Sequence, residues 1–322
     1  MFPSPRWRQL IDERTREAVA VLGRIPGVHG FVVGGSVGRG EPWPMSDIDL
    51  LPVYDDPEAA AGTAAGQAAM VDWWAGSGRA QTLDLAWIAF TVGEVRAVMA
   101  AGAEALAERV AADRRWFHGI DKAYGGRAGD PDDELTGGFV AWLTELRFHP
   151  AVVAARLAQW RQQALAAAEL TADPDEATAT NNLRESARAV RMLVLEGWGE
   201  RLGSMGREWT RFERLADRHG QRGLADRIAV LAGADVPTAT RRAEVAPLWL
   251  RERIELCWAA RQAVGEQVTE GENARDQHAA YALHVARKRP DLDGPWTGTP
   301  EPRLDPYRSD LRRVIELTAG GV

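Results

Sequence analysis

The chain has 322 residues, 45% of them apolar, and a formal net charge of −7. That length holds one large or two ordinary domains with sizeable cores, and the acidic balance disfavours a broad electropositive groove for nucleic acid. The single cysteine, Cys257, excludes an intramolecular disulfide and speaks against a zinc finger.

No stretch approaches the roughly 20 apolar residues of a membrane span, and the first residues lack the apolar core of a signal peptide. A cytoplasmic location without a membrane partner is therefore expected.

Taken in order, Trp7 to Leu22 reads as an amphipathic helix, with Leu10, Ile11, Ala18, Val19 and Leu22 on one face. Ser4 suits its cap, Pro5 its first turn and Gly23 its exit. Val28 to Val33 is a β-branched and aromatic run expected to form a buried strand. A glycine-rich turn and a loop stiffened by Pro42 and Pro44 lead to a second strand from Asp47 to Tyr54. Residues 57–78 are alanine-rich and helical in pattern, and Gly76-Ser77-Gly78 ends them. A third strand follows over Gln81 to Ile88, with Asp84 its only acid. Thr91 and Glu94 form a capping-box pair for a helix over 92–111. Trp116 to Ile120 suggests a last short strand, and the polar, glycine-rich stretch from Asp121 to Asp133 suggests a domain boundary.

Beyond it the periodicity is helical, with helices expected at 134–147, 151–170, 177–196, 207–219, 221–232, 240–268 and 271–288. Residues 290–306 read as a Pro/Gly-rich extended tail and Tyr307 to Leu317 as a short amphipathic segment that docks back. The expected class is α+β. A small mixed β-sheet domain with flanking helices fills 1–130, an all-α helical bundle 131–289, and a tail with a short terminal helix 290–322.

The chemistry concentrates between Gly34 and Asp84. Side chains at i and i+2 of a strand share a face, so Asp47 and Asp49 point the same way while Ile48 and Leu50 turn inward. Paired carboxylates repel unless a cation joins them, and Mg²⁺ takes carboxylates together with substrate phosphates. Glycines let backbone N–H groups approach a phosphate.

Gly34-Gly35-Ser36, ten residues, then Asp47-Ile48-Asp49-Leu50 resembles the signature of the DNA polymerase β-type nucleotidyltransferase superfamily. The fuller form, Gly35-Ser36, Arg39-Gly40-Glu41 and Ser46-Asp47-Ile48-Asp49-Leu50, is most similar to its minimal and aminoglycoside-nucleotidyltransferase-like branch. The resemblance covers about the first third of the chain. It implies a third carboxylate on a neighbouring strand, for which Asp84 stands at a suitable distance.

The resemblance also implies two Mg²⁺ ions, replaceable by Mn²⁺, held by Asp47, Asp49 and Asp84, with an NTP as substrate and ATP as the expected nucleotide. Gly35 and Ser36 would meet the β- and γ-phosphates. Arg39 would neutralise phosphate charge or pair with Glu41, and Ser46 would chiefly steady the turn before Asp47. The second ion would lower the pKa of the acceptor hydroxyl, or Asp84 would take its proton directly. Glu185 is a second candidate base, since related enzymes use a glutamate of the helical half. Arg184, Arg188 and Arg191 recur near helical spacing, as a charged face or as phosphate contacts.

The expected reaction moves a nucleoside monophosphate to a hydroxyl of a small molecule, an aminoglycoside-like antibiotic or natural product. The acidic balance suits a cationic acceptor. A protein-modifying, antitoxin-like enzyme and a non-catalytic nucleotide-sensing scaffold are the alternatives, nucleic acid is disfavoured, and a homodimer is left open.

Overall fold

A computed structural model describes residues 3–77, 81–85, 87–203, 206–292 and 294–319. Gly78 and Ala86, both inside runs read above, lie outside the described residues. The chain divides into two compact units, Pro3–Arg156 and Leu157 onward.

The first unit is α+β. Helix α1 (Trp7–Leu22) precedes β1 (Val28–Val33), a single helical turn α2 (Gly35–Gly38), β2 (Ile48–Tyr54), α3 (Ala59–Gly76), β3 (Leu83–Leu85) and β4 (Phe90–Thr91). Then come α4 (Val92–Ala101), α5 (Ala103–Ala112), α6 (Arg114–Ala123), β5 (Arg127–Ala128) and α7 (Glu134–Leu146).

The five strands form one mixed sheet in the order β3-β2-β1-β5, with β4 also on β2. β1 runs antiparallel to β2 and β5, while β3 and β4 lie parallel to β2. Ile48 and Leu50 of β2 join Phe31 and Val33 of β1 in a core with Ile11, Ala18 and Leu22 of α1 and Met70 and Trp74 of α3. That core covers one sheet face. On the other face side chains such as Leu51 and Val53 are also buried. Phe90, Trp116 of α6 and Phe139 of α7 stack edge-on or tilted with centroids 4.5–6.0 Å apart.

Three local readings are corrected. Trp116 to Ile120 is not a strand but the middle of α6, which Asp113 caps by accepting from the Arg115 N–H at 2.7 Å. Trp116, Phe117, Ile120 and Ala123 recur with helical spacing and are all buried. The helix expected over 92–111 breaks into two at Gly102, whose φ of +85° a continuous helix does not allow. The boundary expected near 130 falls inside the first unit, because Phe139 of α7 belongs to that unit's aromatic cluster. Asp121 is gripped by Arg147 and Arg156, which extends the same unit to 156.

The division lies within α8 (Pro150–Glu169). The second unit continues with a 3-10 turn (Leu170–Ala172), α9 (Glu176–Gly197), α10 (Glu208–Arg218), α11 (Arg222–Leu231) and α12 (Val236–Glu244). α13 (Leu248–Ala263), α14 (Glu270–Lys288), a 3-10 turn (Pro290–Leu292) and α15 (Leu304–Ala319) complete it. The helix expected over 240–268 is two helices, since Pro247 cannot continue α12. α9 supplies Leu183, Val190, Val194 and Leu195 to the core, and Leu311, Val314 and Ile315 of α15 pack into it. The last helix is therefore part of the core.

His278 on α14 is 1% exposed and its Nε2 meets the Trp296 carbonyl at 2.7 Å. Burial pushes its pKa down to about 4, aided by Arg242, Arg184 and Arg188, against the Trp296 hydrogen bond. A histidine held neutral in the fold binds fewer protons than the unfolded chain between about pH 4 and 6.5, so it costs stability as pH falls through that window. At pH 5 the loss is about 2 kcal/mol. Urea unfolding of His278→Gln between pH 5 and 7.5 should show a shallower acid-side decline than the parent chain.

Candidate functional site

β2 emerges from the turn of Ser46 and Asp47 and runs beside β3 with Asp49 in register with Asp84. In-register neighbours on paired strands share a face, and Asp47 precedes Asp49 by two residues. Carboxylate oxygens of Asp47, Asp49 and Asp84 all lie within 4.8 Å of one another. The three acids singled out in the sequence are thus brought together, Asp47 from the residue just ahead of β2 and Asp84 by the parallel pairing of β3 with β2.

The turn before them is tightly tied. Gly34 N–H donates to the Asp49 carbonyl at 2.9 Å, and Glu41 N–H to the Ser36 carbonyl at 2.9 Å. The buried Ser36 and Ser46 hydroxyls lie 2.8 Å apart, and Ser46 Oγ accepts from Trp43 N–H at 3.0 Å. Ser46 closes the turn in this way, while the Gln81 amide donates to its carbonyl at 2.6 Å. Arg39 is nearly buried, with its Nε 3.7 Å from Glu41.

Gly35 has φ +59°, and a Cβ there would stand 1.8 Å from Asp49 Oδ2. A Cβ on Gly34 would stand 2.4 Å from the Lys122 carbonyl. The two glycines let Asp49 and the end of α6 close on the same turn.

Lys122 of α6 was not among the residues read from sequence. Its ammonium pairs with Asp49 Oδ1 and lies 3.5 Å from Asp84 Oδ2. Burial opposes its charge, yet Asp49, Asp47 and Asp84 together hold its pKa above the ordinary value. Burial and then the Asp47 carboxylate push Asp49 up to about 6, against the pull of Lys122. A signal for Lys122 does exist in the sequence: it is one of two lysines among 39 basic residues.

Comparisons of the chain with family models, with curated proteins and with solved structures give no match.

Glu185 lies half-buried on α9, in the other unit from the three aspartates. Its helix neighbours are committed to packing. Arg184 donates to the Thr297 and Gly298 carbonyls, Arg188 to the Ala279 carbonyl, and Arg191 to Glu208 while covering the Trp209 ring. Arg184 and Arg191 are buried and Arg188 is half-buried, so the three serve as packing anchors of the second unit and not as a solvated charged face. Among the described residues no helix is long and apolar enough to cross a membrane.

The packing of Gly35 on Asp49 is open to test. Gly35→Ala should destabilise the chain by roughly 2–3 kcal/mol, from the left-handed backbone and the clash together. Gly40→Ala, at φ +72° with nothing within 4 Å of a new Cβ, should cost only about 1 kcal/mol. Equal losses in denaturant titration would mean that Asp49 does not press on the turn.

Proposed function

We propose that the first unit carries out divalent-metal-dependent nucleotidyl transfer, moving a nucleoside monophosphate from an NTP to a hydroxyl of a small molecule and releasing pyrophosphate. The observation that carries this reading is the convergence of Asp47, Asp49 and Asp84 within 4.8 Å beside the Gly34-Gly35-Ser36 turn. The donor set suits Mg²⁺ or Mn²⁺, being all oxygen and anionic, and Lys122 shows that a positive charge is already accommodated there.

Asp47 and Asp49 would hold an ion on the nucleotide and share a second with Asp84. Such ions, when bound, neutralise phosphate charge and lower the pKa of a hydroxyl. The remaining roles fall to the chain. Gly35 and Ser36, opening α2, would offer backbone N–H groups to the phosphates. Arg39 stands near enough in sequence to add charge. Asp84, 45% exposed where Asp49 is 4% exposed, would receive the acceptor's proton. Its membership of the cluster favours it over Glu185 as base. ATP as donor and a cationic, aminoglycoside-like acceptor complete the reading, the latter from the acidic balance alone.

Asp47→Asn, Asp49→Asn and Asp84→Asn should each keep the fold and lower transfer at least about a hundredfold. The assay supplies each α-labelled NTP with Mg²⁺, an aminoglycoside panel and a fractionated bacterial extract. Full activity in any of the three would remove that residue from the mechanism.

Lys122 favours a second reading, a nucleotide-sensing scaffold that needs no metal, because its ammonium already pairs with two of the three acids. Mn²⁺ titration of Lys122→Met separates the two. The catalytic reading expects Mn²⁺ to bind the parent and to bind the variant about tenfold or more tightly, since a competing cation is gone. The scaffold reading expects no Mn²⁺ binding to either.

A further inference from the structure

The loop between β3 and β4 carries a tryptophan that the core of the first unit does not use. Trp87, at 59%, is the most exposed of the thirteen tryptophans. An indole ordinarily buries most of its surface. The loop beneath this one is nonetheless tied down. Arg115 of α6 donates to the Ala89 carbonyl at 3.0 Å and pairs with Glu94 at 2.8 Å. Gly119 of α6 lets the loop press on the helix, since a Cβ there would stand 2.8 Å from the Phe90 ring and 3.0 Å from Ile88. The indole meets the His118 ring edge-on, with centroids 5.6 Å apart, and the Arg114 guanidinium lies 5.8 Å from its centroid. Trp87 is therefore an open aromatic surface on a fixed support.

Its place relative to the carboxylates follows from α6. Arg114, His118 and Lys122 are spaced four apart and fall in one row along that helix. At one end of the row the Lys122 ammonium pairs with Asp49 and stands 3.5 Å from Asp84. At the other end Arg114 and His118 brace the indole. His118 and Lys122 are one helical turn apart, about 6 Å along the axis. The Gly34-Gly35-Ser36 turn lies against the C-terminal end of α6, where a Cβ on Gly34 would touch the Lys122 carbonyl. Phosphates held by that turn and a ring held by Trp87 would thus flank the carboxylates from opposite ends of the row. Burial above all, helped by Arg114 and Arg156, pushes the His118 pKa down to about 4, so the imidazole beside the indole is neutral near pH 7. The cations of the row are Arg114 and Lys122. A charged ammonium on the indole would meet like charge on both sides, and an uncharged ring would not.

We propose that Trp87 is the residue on which the acceptor of nucleotidyl transfer stacks, through an uncharged ring that presents its hydroxyl toward Asp84. This rests on the nucleotidyl-transfer reading and narrows its acceptor: amino groups, where the acceptor has them, lie off the stacked ring. A braced indole supplies a large contact surface and loses little freedom when a ring settles on it.

The test pairs kinetics with a binding measurement that needs no transfer. In the label-transfer assay Trp87→Ala should raise the acceptor KM about tenfold or more, with kcat and the NTP KM within about twofold of the parent chain. Trp87→Phe keeps a ring and should recover most of the loss. For binding, the full chain is labelled with 5-fluorotryptophan, and the Trp87 fluorine signal is assigned by its absence from Trp87→Phe. Benzyl alcohol should shift that signal, and benzylamine, its cationic counterpart, should shift it about fivefold less at equal concentration. Transfer by the parent with an acceptor KM unchanged in Trp87→Ala would overturn the role of Trp87 and leave nucleotidyl transfer standing. An NTP KM raised as much as the acceptor's would overturn it too, by giving the indole to the nucleobase. A signal unmoved by benzyl alcohol, or moved equally by benzylamine, would overturn the uncharged ring. No transfer by the parent, with the signal still moved by benzyl alcohol, would instead remove nucleotidyl transfer and with it the acceptor role, leaving ring binding alone.

Discussion

Mutual repulsion of three carboxylates is the constraint around which the first unit is arranged. Two like charges about 5 Å apart repel by roughly 3 kcal/mol at an effective dielectric constant near 20, and here Asp49 is also buried. The fold counters this with one ammonium. α6 brings Lys122 onto Asp49 and within 3.5 Å of Asp84. That approach in turn needs Gly34 under the Lys122 carbonyl and Gly35 under Asp49. Turn, strand and helix are therefore one device, and removing any part leaves charge uncompensated. Burial first, and the Asp47 carboxylate second, keep the pKa of Asp49 raised despite Lys122. Perturbed titration of this kind, at converging acids, is a common mark of a functional site, which is why the proposed chemistry is placed here.

The second unit solves a different problem, holding helices together through buried charge. Arg275 bridges Glu213 and Asp276, Arg261 joins Asp276 at 2.6 Å, and Thr210 donates to the same carboxylate. Such a network adds little net stability over apolar packing, but its loss piecemeal is costly. It ties α10, α13 and α14 to one another in a single register. Arg184 does similar work, fastening the 297–299 segment to α9 through two carbonyls. Arg184, Arg188 and Arg191 read in the sequence as a charged face or as phosphate contacts because arginines recurring at helical spacing give the same pattern whether water or carbonyl oxygens meet them.

The sequence by itself determined the elements whose signals are local. α1 runs over the stretch read from its apolar stripe, and Thr91 and Glu94 close a capping box at the start of α4. β1 and β2 follow from β-branched content, and the i, i+2 spacing of Asp47 and Asp49 pointed to their meeting, although β2 itself begins at Ile48. Asp84 was legible because a lone acid in an apolar run asks for a partner. Only the tertiary structure decided what depends on contacts distant in the chain. Trp116 to Ile120 is β-prone in composition, yet Asp113 and the Phe90–Phe139 cluster make it helical. Lys122 reaches Asp49 across 73 residues of sequence, and no local pattern encodes that meeting. The extent of the first unit, to Arg156, was likewise set by where Asp121 finds its two arginines. Periodicity reports which face a residue occupies; which partner waits on that face is a property of the folded chain.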